Sequence, residues 1–493
     1  MSEIVERFRR IHRDAPARPL IHVPLTGSSF SADDILEASG EHRRALDRLG
    51  LGPDHLVILT IGNRPAAFPF WLACRMAGIA VMPVDAGATT VEIGDLARRF
   101  GATVAIVPGQ SDPPRALGEP EAFCDGLLAV RMTGVEPRPD LYRGAAALKL
   151  TSGSTGLPKA TFTTDGALAV DSDQILGAMD IRPEHTQLAA IPLSHAYGLG
   201  NLLVPALTRG TAVILREGFV PHSLLSDARA YGADAFPGVP FMFEHLAGAP
   251  LSGGWPPRLR KLVSAGARLE LRTVRRFFET FAVKVHSFYG TSEAGGIAYE
   301  DGEDLREETT VGRPLSGVSI ALRPEEGTPP EGGRVHVAGK AVAARYVGEN
   351  QADGSFVDGG FLTGDIGRFD AEGNLMLTGR VSAFINVAGR KVQPEEVEQV
   401  LRAMPSVADV RVVGAADAAR GQQIVACIVA RDGQRNILAV RQYCAARLAA
   451  YKVPRRVVWL DRIPLTARGK MDRAQLEALV RDELAGGAEI GML

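Results

Sequence analysis

The sequence predicts an α/β protein with a large N-terminal domain and a small C-terminal domain. Three observations support this fold class. The chain has 493 residues, more than one ordinary hydrophobic core accommodates. Short apolar runs alternate with helical patterns between about residues 50 and 290, as expected for parallel strands joined by crossover helices. The pattern then changes after Thr310, where short β-like runs begin, and again after Arg380.

The first α/β layer follows two amphipathic helices. Apolar residues at helical spacing predict a helix over 4–11, and Ser31 caps a second helix that stops at Gly50. The Pro- and Gly-rich stretch Gln110–Arg143 is expected to be irregular surface chain. The predicted strands are Leu56–Ile61, Ile79–Val84, Thr103–Val107 and Ala145–Leu150, with helices Pro65–Met76 and Val91–Phe100 between them.

The second α/β layer and the C-terminal tail also contain short apolar runs that predict strands. The predicted strands of the second layer are Leu188–Ile191, Thr211–Leu215, Ala233–Phe236, Leu262–Ser264 and Val283–Phe288. The β-like runs Val318–Leu322 and Gly333–Ala338 indicate a small β-rich subdomain. The last residues carry their own strands and helices, enough for a compact α+β domain. We therefore predict domains over 1–380 and 381–493.

Composition excludes several functional classes. The net charge is −2 and 46% of residues are hydrophobic, so nothing favours nucleic acid as a partner. No apolar run approaches the roughly 18 residues of a membrane span, and the charged N-terminus is no secretory signal. Four widely spaced cysteines suggest buried or idle thiols in a reducing compartment. The expected location is the cytoplasm.

A glycine- and hydroxyl-rich loop follows the apolar strand that ends at Leu150. Glycines let backbone N–H groups approach an anion, hydroxyls donate to phosphate oxygens, and a lysine adds positive charge. Because Ala160 follows the lysine, the loop is not a Walker A motif, and a polar surface turn is the alternative interpretation. The candidate phosphate-binding residues are Thr151, Ser152, Gly153, Ser154, Thr155, Gly156 and Lys159.

The order of residues in this loop resembles the phosphate-binding signature of the adenylate-forming superfamily of acyl-CoA synthetases, free-standing adenylation domains and luciferases. The resemblance covers nearly the whole chain after about residue 50, with five motifs in the same order. It implies ATP and Mg²⁺ as cofactors. It also implies a small-molecule carboxylic acid as substrate and a C-terminal domain that moves.

A second motif follows the strand Val283–Phe288. The run Gly290–Ala294 approximates a nucleophile elbow, but His336 is the only histidine downstream, which disfavours a hydrolase. A buried tyrosine and a solvated glutamate are the plain alternative. The segment resembles the superfamily's adenine and magnesium motif. That resemblance implies that Tyr289 stacks on adenine, that Gly290 and Thr291 lie near the nucleotide, and that Glu293 binds the metal together with Thr151.

A third motif, Leu362–Asp365, places a carboxylate just after a turn. Asp365 could be an Asx-turn residue. In the resembling family this aspartate accepts both ribose hydroxyls, and Arg380 matches an arginine that contacts ribose and phosphate.

The acyl site is expected near Pro192–Gly198, which resembles the family's fourth core motif. A structural histidine is the common alternative for such a pattern, whereas the resemblance places His195 between the acyl pocket and the phosphates. No aspartate accompanies it, which argues against an α-amino acid substrate. The other candidate pocket residues are Phe236, Gly266, Ala267, Gly290 and Gly295.

The last motif contains Lys470, which the resemblance assigns to bridging the substrate carboxylate and the α-phosphate. Gly389 resembles the point where the thiol tunnel approaches the site in thioester-forming members. The sequence departs from the family pattern at the hinge: the family usually carries Asp or Lys two residues after the arginine, whereas Ser382 stands there, followed by Ala383. The resemblance implies that the small domain rotates between the two half-reactions.

The expected activity is ATP-dependent formation of an acyl-adenylate followed by thioester formation with coenzyme A. Coenzyme A is favoured because the chain ends soon after Lys470 without a carrier domain. One alternative is a ligase that loads the phosphopantetheine of a separate acyl carrier protein or forms another acyl product. A non-catalytic protein that senses adenylate is the second. A monomer or a homodimer is expected.

Overall fold

The computed structural model describes residues 2–109, 117–151, 159–249, 253–326, 328–348, 354–381, 384–387, 390–417, 421–433, 435–448, 450–466 and 471–485. The chain divides into two compact units. The first, here called the large unit, is Met1–Ile320 with Val337–Leu362. The second, the small unit, is Ala321–His336 with Thr363–Leu493. The predicted boundary at residue 380 stays a prediction.

The helices begin at the caps that the sequence offers. Ser31 and Asp34 form a reciprocal capping box, and so do Thr89 and Glu92. Within the described residues the α-helices are α1 Glu3–Asp14, α2 Ala32–Arg48, α3 Ala67–Ala77, α4 Thr90–Phe100, α5 Pro139–Tyr142, α6 Asp165–Ala178, α7 Ala196–Gly198, α8 Val204–Arg209, α9 Pro221–Ala230, α10 Pro240–Gly248, α11 Leu271–Phe281, α12 Pro394–Arg402, α13 Ile437–Ala445 and α14 Arg473–Ala485. A π-helical turn, Leu199–Leu203, joins α7 to α8.

The strands of the large unit, with those shared between the units, are β1 Pro19–Val23, β2 Ser28–Ser31, β3 Leu56–Leu59, β4 Ala80–Pro83, β5 Ala102–Pro108, β6 Pro120–Ala122, β7 Leu127–Arg131, β8 Ala147–Thr151, β9 Lys159–Thr163, β10 Thr186–Ala189, β11 Ala212–Leu215, β12 Ala235–Gly238, β13 Lys261–Ser264, β14 Val285–Thr291, β15 Gly295–Tyr299, β16 Arg313–Pro314, β17 Val318–Arg323, β18 Gly332–Gly339, β19 Tyr346–Val347, β20 Phe356–Val357 and β21 Gly360–Phe369. The remaining strands are β22 Leu375–Arg380, β23 Ile385–Val387, β24 Arg390–Val392, β25 Val407–Asp417, β26 Gly421–Ala430 and β27 Arg456–Trp459.

Two extended sheets form the large unit and confirm the predicted layered α/β class. One runs β19-β9-β8-β4-β3-β5-β7-β6, and the other runs β16-β15-β14-β13-β12-β10-β11-β1-β2. Their central strands pair in parallel, for example β3 with β4 and β12 with β13. Because both faces of these strands are covered, β3, β4 and β11 are buried along their whole length.

The smaller sheets also follow the predicted pattern. β17, β18, β21 and β20 form the β-rich sheet, which β22 extends by pairing with β21. In the tail, β24-β23-β26-β25 form a sheet that β27 joins through β26. Helices α12 and α13 pack on this sheet around Val397, Leu401 and Val440. The tail is therefore α+β, as predicted.

The prediction for Gln110–Arg143 was wrong. Of its described residues, 117–143, the structure places Pro120–Ala122 and Leu127–Arg131 in strands and Pro139–Tyr142 in a short helix. The apolar run at Leu127–Val130 pairs antiparallel with β5 and closes the edge of the first sheet. The proline and glycine residues that flank this run favoured a loop over the whole stretch and obscured its strand pattern.

The four cysteines are free thiols. Burial raises the pKa of Cys74 to about 12, that of Cys427 to about 12 and that of Cys444 to about 11. Burial also raises the pKa of Cys124, which is only partly buried. None of the described helices is long and apolar enough to cross a membrane.

Candidate active site

The hairpin of β8 and β9 carries the predicted phosphate loop. Thr151, the last residue of β8, lies opposite Lys159, the first residue of β9. The loop between them, residues 152–158, lies outside the described residues. It contains the candidates Ser152, Gly153, Ser154, Thr155 and Gly156, whose roles therefore stay predictions.

One face of this hairpin is polar and buried. Residues directly opposite one another share a face, so Lys149, Thr161 and Tyr346 form a row across β8, β9 and β19. Lys149 and Tyr346 are each 4% exposed, and Thr161 is fully buried. Alternation along the strands places Thr151 and Lys159 on the same face, next to the loop. A buried polar surface thus leads to the predicted phosphate site.

The turn that carries Glu293 lies against this polar face. The hydroxyl of Tyr346 donates to Glu293 Oε1 at 2.7 Å, and the Ala343 N–H donates to the Glu293 carbonyl at 2.7 Å. The neighbouring Ser292 hydroxyl donates to the Leu150 carbonyl at 3.4 Å. The predicted metal-binding turn is therefore held by direct contacts to β8, the strand that leads into the predicted phosphate loop, and to the segment that carries Tyr346.

The residues before Glu293 are held by the β14–β15 hairpin. Tyr289 is buried on β14, and Gly290 lies opposite Gly296. A β-carbon at Gly290 would lie 2.7 Å from the Gly295 carbonyl oxygen, so only glycine fits there. The Thr291 hydroxyl accepts the Ala294 N–H at 3.0 Å, which closes the turn.

Two further buried charges support this turn. The Gly296 N–H donates to Asp171 Oδ1 at 2.8 Å. Burial lowers the pKa of Lys149, an effect that the carboxylates of Asp171 and Glu293 oppose. Burial raises the pKa of Asp171, an effect that Lys149 and the Gly296 N–H oppose. Lys149 thus provides the buried positive charge that faces both carboxylates.

The candidate acyl residues lie at strand ends in the large unit. His195 precedes α7, and its Nε2 lies 3.6 Å from Asp85 Oδ2. Phe236 is fully buried on β12 and contacts Phe243, with ring centroids 5.3 Å apart. Gly266 and Ala267 follow β13 and are exposed, and Gly266 has a φ of +81°.

Tyr197 is a pocket candidate that the sequence alone did not single out. Its hydroxyl donates to the Val263 carbonyl at 3.0 Å, and its ring stacks on Phe288 with centroids 5.9 Å apart. It thereby spans from α7 to the strands β13 and β14.

Asp365 and Arg380 are brought together in the small unit. They lie opposite each other on β21 and β22, and Arg380 Nε donates to Asp365 Oδ1 at 2.7 Å. The Asp365 N–H donates to the hydroxyl of Thr363 at 3.1 Å. Asp365 is buried whereas Arg380 is exposed.

The remaining candidates, Lys470 and Gly389, lie outside the described residues, as do the hinge residues Ser382 and Ala383. Their roles stay predictions.

The donors present fit a magnesium ion that also binds nucleotide phosphates. Mg²⁺ prefers oxygen ligands and is commonly held by one or two carboxylates together with substrate phosphates. Glu293 offers a buried carboxylate and Thr151 a hydroxyl, both beside the phosphate loop. Across the described part of the chain, no three His, Cys, Asp or Glu side chains cluster to hold a metal by themselves.

Sequence reasoning missed Tyr346, Lys149 and Asp171. Lys149 could have been found from the sequence, because a lysine inside the apolar run Ala145–Leu150 requires a buried partner. The sequence does not indicate the role of Tyr346, since its contact with Glu293 depends on the pairing of β19 with β9.

Family models match most of the chain. The AMP-binding enzyme model matches residues 8–347, and the model of the AMP-binding enzyme C-terminal domain matches residues 396–470. A feruloyl-CoA synthase from an Amycolatopsis species is 30% identical over 467 residues, covering 91% of this chain and 94% of that protein. An indoleacetate–CoA ligase from Aromatoleum aromaticum is 27% identical over 496 residues, covering 94% of each.

A solved structure has the same fold. The amide bond synthetase McbA from Marinactinospora thermotolerans superposes with a TM-score of 0.81 at 25% identity, covering 96% of this chain and 99% of that one.

Proposed function

The chain belongs to the AMP-binding enzyme family of the adenylate-forming superfamily, and from that membership we propose that it is an AMP-forming ligase that joins a carboxylic acid to coenzyme A. ATP and coenzyme A are its co-substrates. The reaction has two steps, formation of an acyl-adenylate with release of pyrophosphate and transfer of the acyl group to the thiol with release of AMP.

One observation carries the proposal. The Ser292–Leu150 hydrogen bond ties the Glu293 turn to the phosphate-loop hairpin, and the Tyr346–Glu293 hydrogen bond ties it to β19, the strand that pairs with β9. Residues of the strands beside the predicted phosphate loop and residues of the Glu293 turn thus form one polar, largely buried surface, although more than a hundred residues separate them in sequence. Such a surface suits a polyphosphate with its counter-ion, because a low-dielectric environment strengthens each electrostatic contact.

In the first step the substrate carboxylate attacks the α-phosphate of ATP. The hydroxyl of Thr151, the loop residues and Lys159 would hold the β- and γ-phosphates, and Tyr289 would stack on adenine. The ribose hydroxyls would donate to Asp365, and Lys470 would orient the carboxylate. Donors of this kind are each worth about 2.7–4 kcal/mol of barrier in other enzymes. A magnesium ion bound through Glu293 and Thr151 would supply further neutralisation of phosphate charge.

In the second step the thiol attacks the acyl carbonyl carbon and AMP leaves. We propose that the segment 381–493 rotates at Arg380 between the two steps, withdrawing Lys470 and bringing Gly389 toward the acyl group. Ser382 and Ala383 do not prevent such a rotation, because backbone dihedral angles provide it.

Coenzyme A is not the only acceptor that such an enzyme could use. McbA has the same fold and is named for forming amide bonds, so an amine is the second candidate acceptor and an amide the second candidate product. The phosphopantetheine of an acyl carrier protein offers the same thiol as coenzyme A. Comparing coenzyme A, a loaded carrier protein and a primary amine as acceptors separates these cases.

We propose an aryl or arylalkyl carboxylic acid as the substrate class. Two relatives that span almost the whole chain are named for feruloyl and indoleacetate groups. In this chain Tyr197 lies in the predicted acyl motif, where its ring stacks on Phe288, and Gly266 and Ala267 are small exposed residues at the candidate pocket.

The test combines a substrate screen with one variant. Acid-dependent pyrophosphate release is measured over aryl, arylalkyl and aliphatic acids, followed by thioester detection with coenzyme A. With the best acid, Lys470→Ala should abolish adenylate formation and largely spare thioester formation from supplied acyl-adenylate.

Equal loss of both half-reactions in Lys470→Ala would refute the assignment of that residue. Absence of pyrophosphate release with every acid would refute the ligase itself. Lys340→Ala, a lysine of the large unit that lies outside all proposed site residues, is the matched control and should retain both half-reactions.

A further inference from the structure

We propose that Tyr346 is a positioning residue that orients Glu293 for the metal–nucleotide complex. This inference rests on the proposed function, in which Glu293 binds the ion. Tyr346 itself contacts neither nucleotide nor acid in this account, and it acts through the carboxylate.

The hydrogen bond between the two side chains is short and shielded from water. The Tyr346 hydroxyl lies 2.7 Å from Glu293 Oε1, and the two residues are only 4% and 9% exposed. Shielding from water strengthens such a bond and slows its exchange with solvent. Within the described part of the chain Oε2 accepts no hydrogen bond, so the two carboxylate oxygens are distinguished by their surroundings.

The ring of Tyr346 is fixed by its own neighbours. β19 pairs with β9, which sets Tyr346 opposite Thr161. Phe356 and Phe361 pack edge-on against the ring, with centroids 5.2 and 6.2 Å away. A rigid ring gives its hydroxyl one direction, and this direction then determines where the Glu293 carboxylate points.

The same ring also contacts the predicted phosphate lysine. Lys159 Nζ lies 4.8 Å from the ring centroid, within range of a cation–π interaction. One neutral side chain therefore contacts both a carboxylate expected to bind a cation and an ammonium expected to bind phosphate. Its hydroxyl holds Glu293 without placing a further positive charge beside the carboxylate, whereas an arginine or lysine in its place would add one.

The consequence is a measurable effect on metal binding. Groups that hydrogen-bond to a metal ligand typically change metal affinity or activity by about 10–100-fold when removed. Tyr346→Phe deletes only the hydroxyl and keeps the ring for Lys159, Phe356 and Phe361. We expect at least about tenfold weaker binding of Mn²⁺ to the protein in the presence of a non-hydrolysable ATP analogue, measured by electron paramagnetic resonance.

A second readout is the concentration of Mg²⁺ that gives half-maximal pyrophosphate exchange, which should rise by a similar factor while KM for the acid is unchanged. The matched control is Tyr142→Phe. The hydroxyl of Tyr142 is also hydrogen-bonded inside the large unit, where it accepts the Arg138 N–H at 2.9 Å and donates to backbone carbonyls at 3.3 Å rather than to Glu293. That variant should lower stability without changing either metal readout.

Glu293→Gln separates this inference from the proposed function. If Glu293→Gln weakens Mn²⁺ binding and Tyr346→Phe does not, the inference is overturned and the proposed function stands. If neither variant weakens binding, the metal role of Glu293 fails and the inference fails with it. In the double variant, Tyr346→Phe should add no further loss, since its effect passes through the carboxylate. Additive losses would overturn the positioning role.

Discussion

Replacing Gly295 by alanine tests how tightly the turn beside Glu293 is packed. Gly295 has a φ of +70°, and a β-carbon there would lie 2.3 Å from Asp171 Oδ1 and 2.6 Å from its Cγ. Asp171 is 5% exposed and accepts the Gly296 N–H, so it cannot move aside without breaking that bond.

The loss of folding stability in Gly295→Ala has two parts. A left-handed conformation costs a residue other than glycine about 1–2 kcal/mol. Losing a hydrogen bond to a buried carboxylate costs about 1.5–3 kcal/mol. The sum predicts that Gly295→Ala lowers the free energy of unfolding of the large unit by about 2.5–5 kcal/mol.

The assay is urea unfolding of the wild type, Gly295→Ala and a control, Gly27→Ala. Gly27 has a φ of +71°, and a β-carbon at this position would have no other atom within 4 Å, so this variant bears only the conformational cost of about 1–2 kcal/mol. Equal destabilisation by the two substitutions would refute the claim that the carboxylate of Asp171 holds the turn.

Three further predictions concern the helix caps, the thiols and the ribose site. The Ser31 hydroxyl and N–H lower the pKa of Asp34 below 3.8, so the stability from this capping box is fully present above pH 3.8 and is lost as the pH falls through the lowered pKa of the native carboxyl. Asp34→Ala should therefore cost about 1 kcal/mol at pH 7 in urea unfolding and progressively less as the pH is lowered through the pKa of the native carboxyl, whereas a cost that does not change with pH over this range would contradict the assignment. A thiol reagent such as dithionitrobenzoate should modify only Cys124 rapidly in the native protein and four thiols after unfolding, and rapid reaction of a second native thiol would be inconsistent with the burial described. Asp365→Ala should raise KM for ATP by roughly tenfold or more with KM for the acid unchanged, while an unchanged KM for ATP would remove Asp365 from the ribose site.

Much of the large unit could be predicted because its strands are buried on both faces. Runs such as Leu56–Leu59 and Ile79–Val84 contain no polar side chain, and the local sequence reveals this. The hairpin β1–β2 and the strand β9 were missed for the opposite reason. They carry polar side chains on one face, and a short alternating run resembles a loop.

Some residues of the candidate site could likewise be predicted from the sequence, and others could not. Glu293, Asp365 and the phosphate loop could be found because their motifs are contiguous in sequence. Tyr346 could not, because it lies 53 residues beyond Glu293 and meets it only through β19, a strand of two residues at a sheet edge. Contacts of this kind depend on tertiary pairing, which no local pattern encodes.

The most direct test of the account follows the oxygen atoms of the substrate. The acid identified in the screen is labelled with ¹⁸O in both carboxylate oxygens and incubated with ATP, Mg²⁺ and coenzyme A. Attack of the carboxylate on the α-phosphate, followed by thiol attack on the carbonyl carbon, leaves one labelled oxygen in AMP. Mass spectrometry should therefore find one ¹⁸O atom per AMP and unlabelled pyrophosphate. Label in inorganic phosphate, or AMP without label, would contradict an acyl-adenylate intermediate.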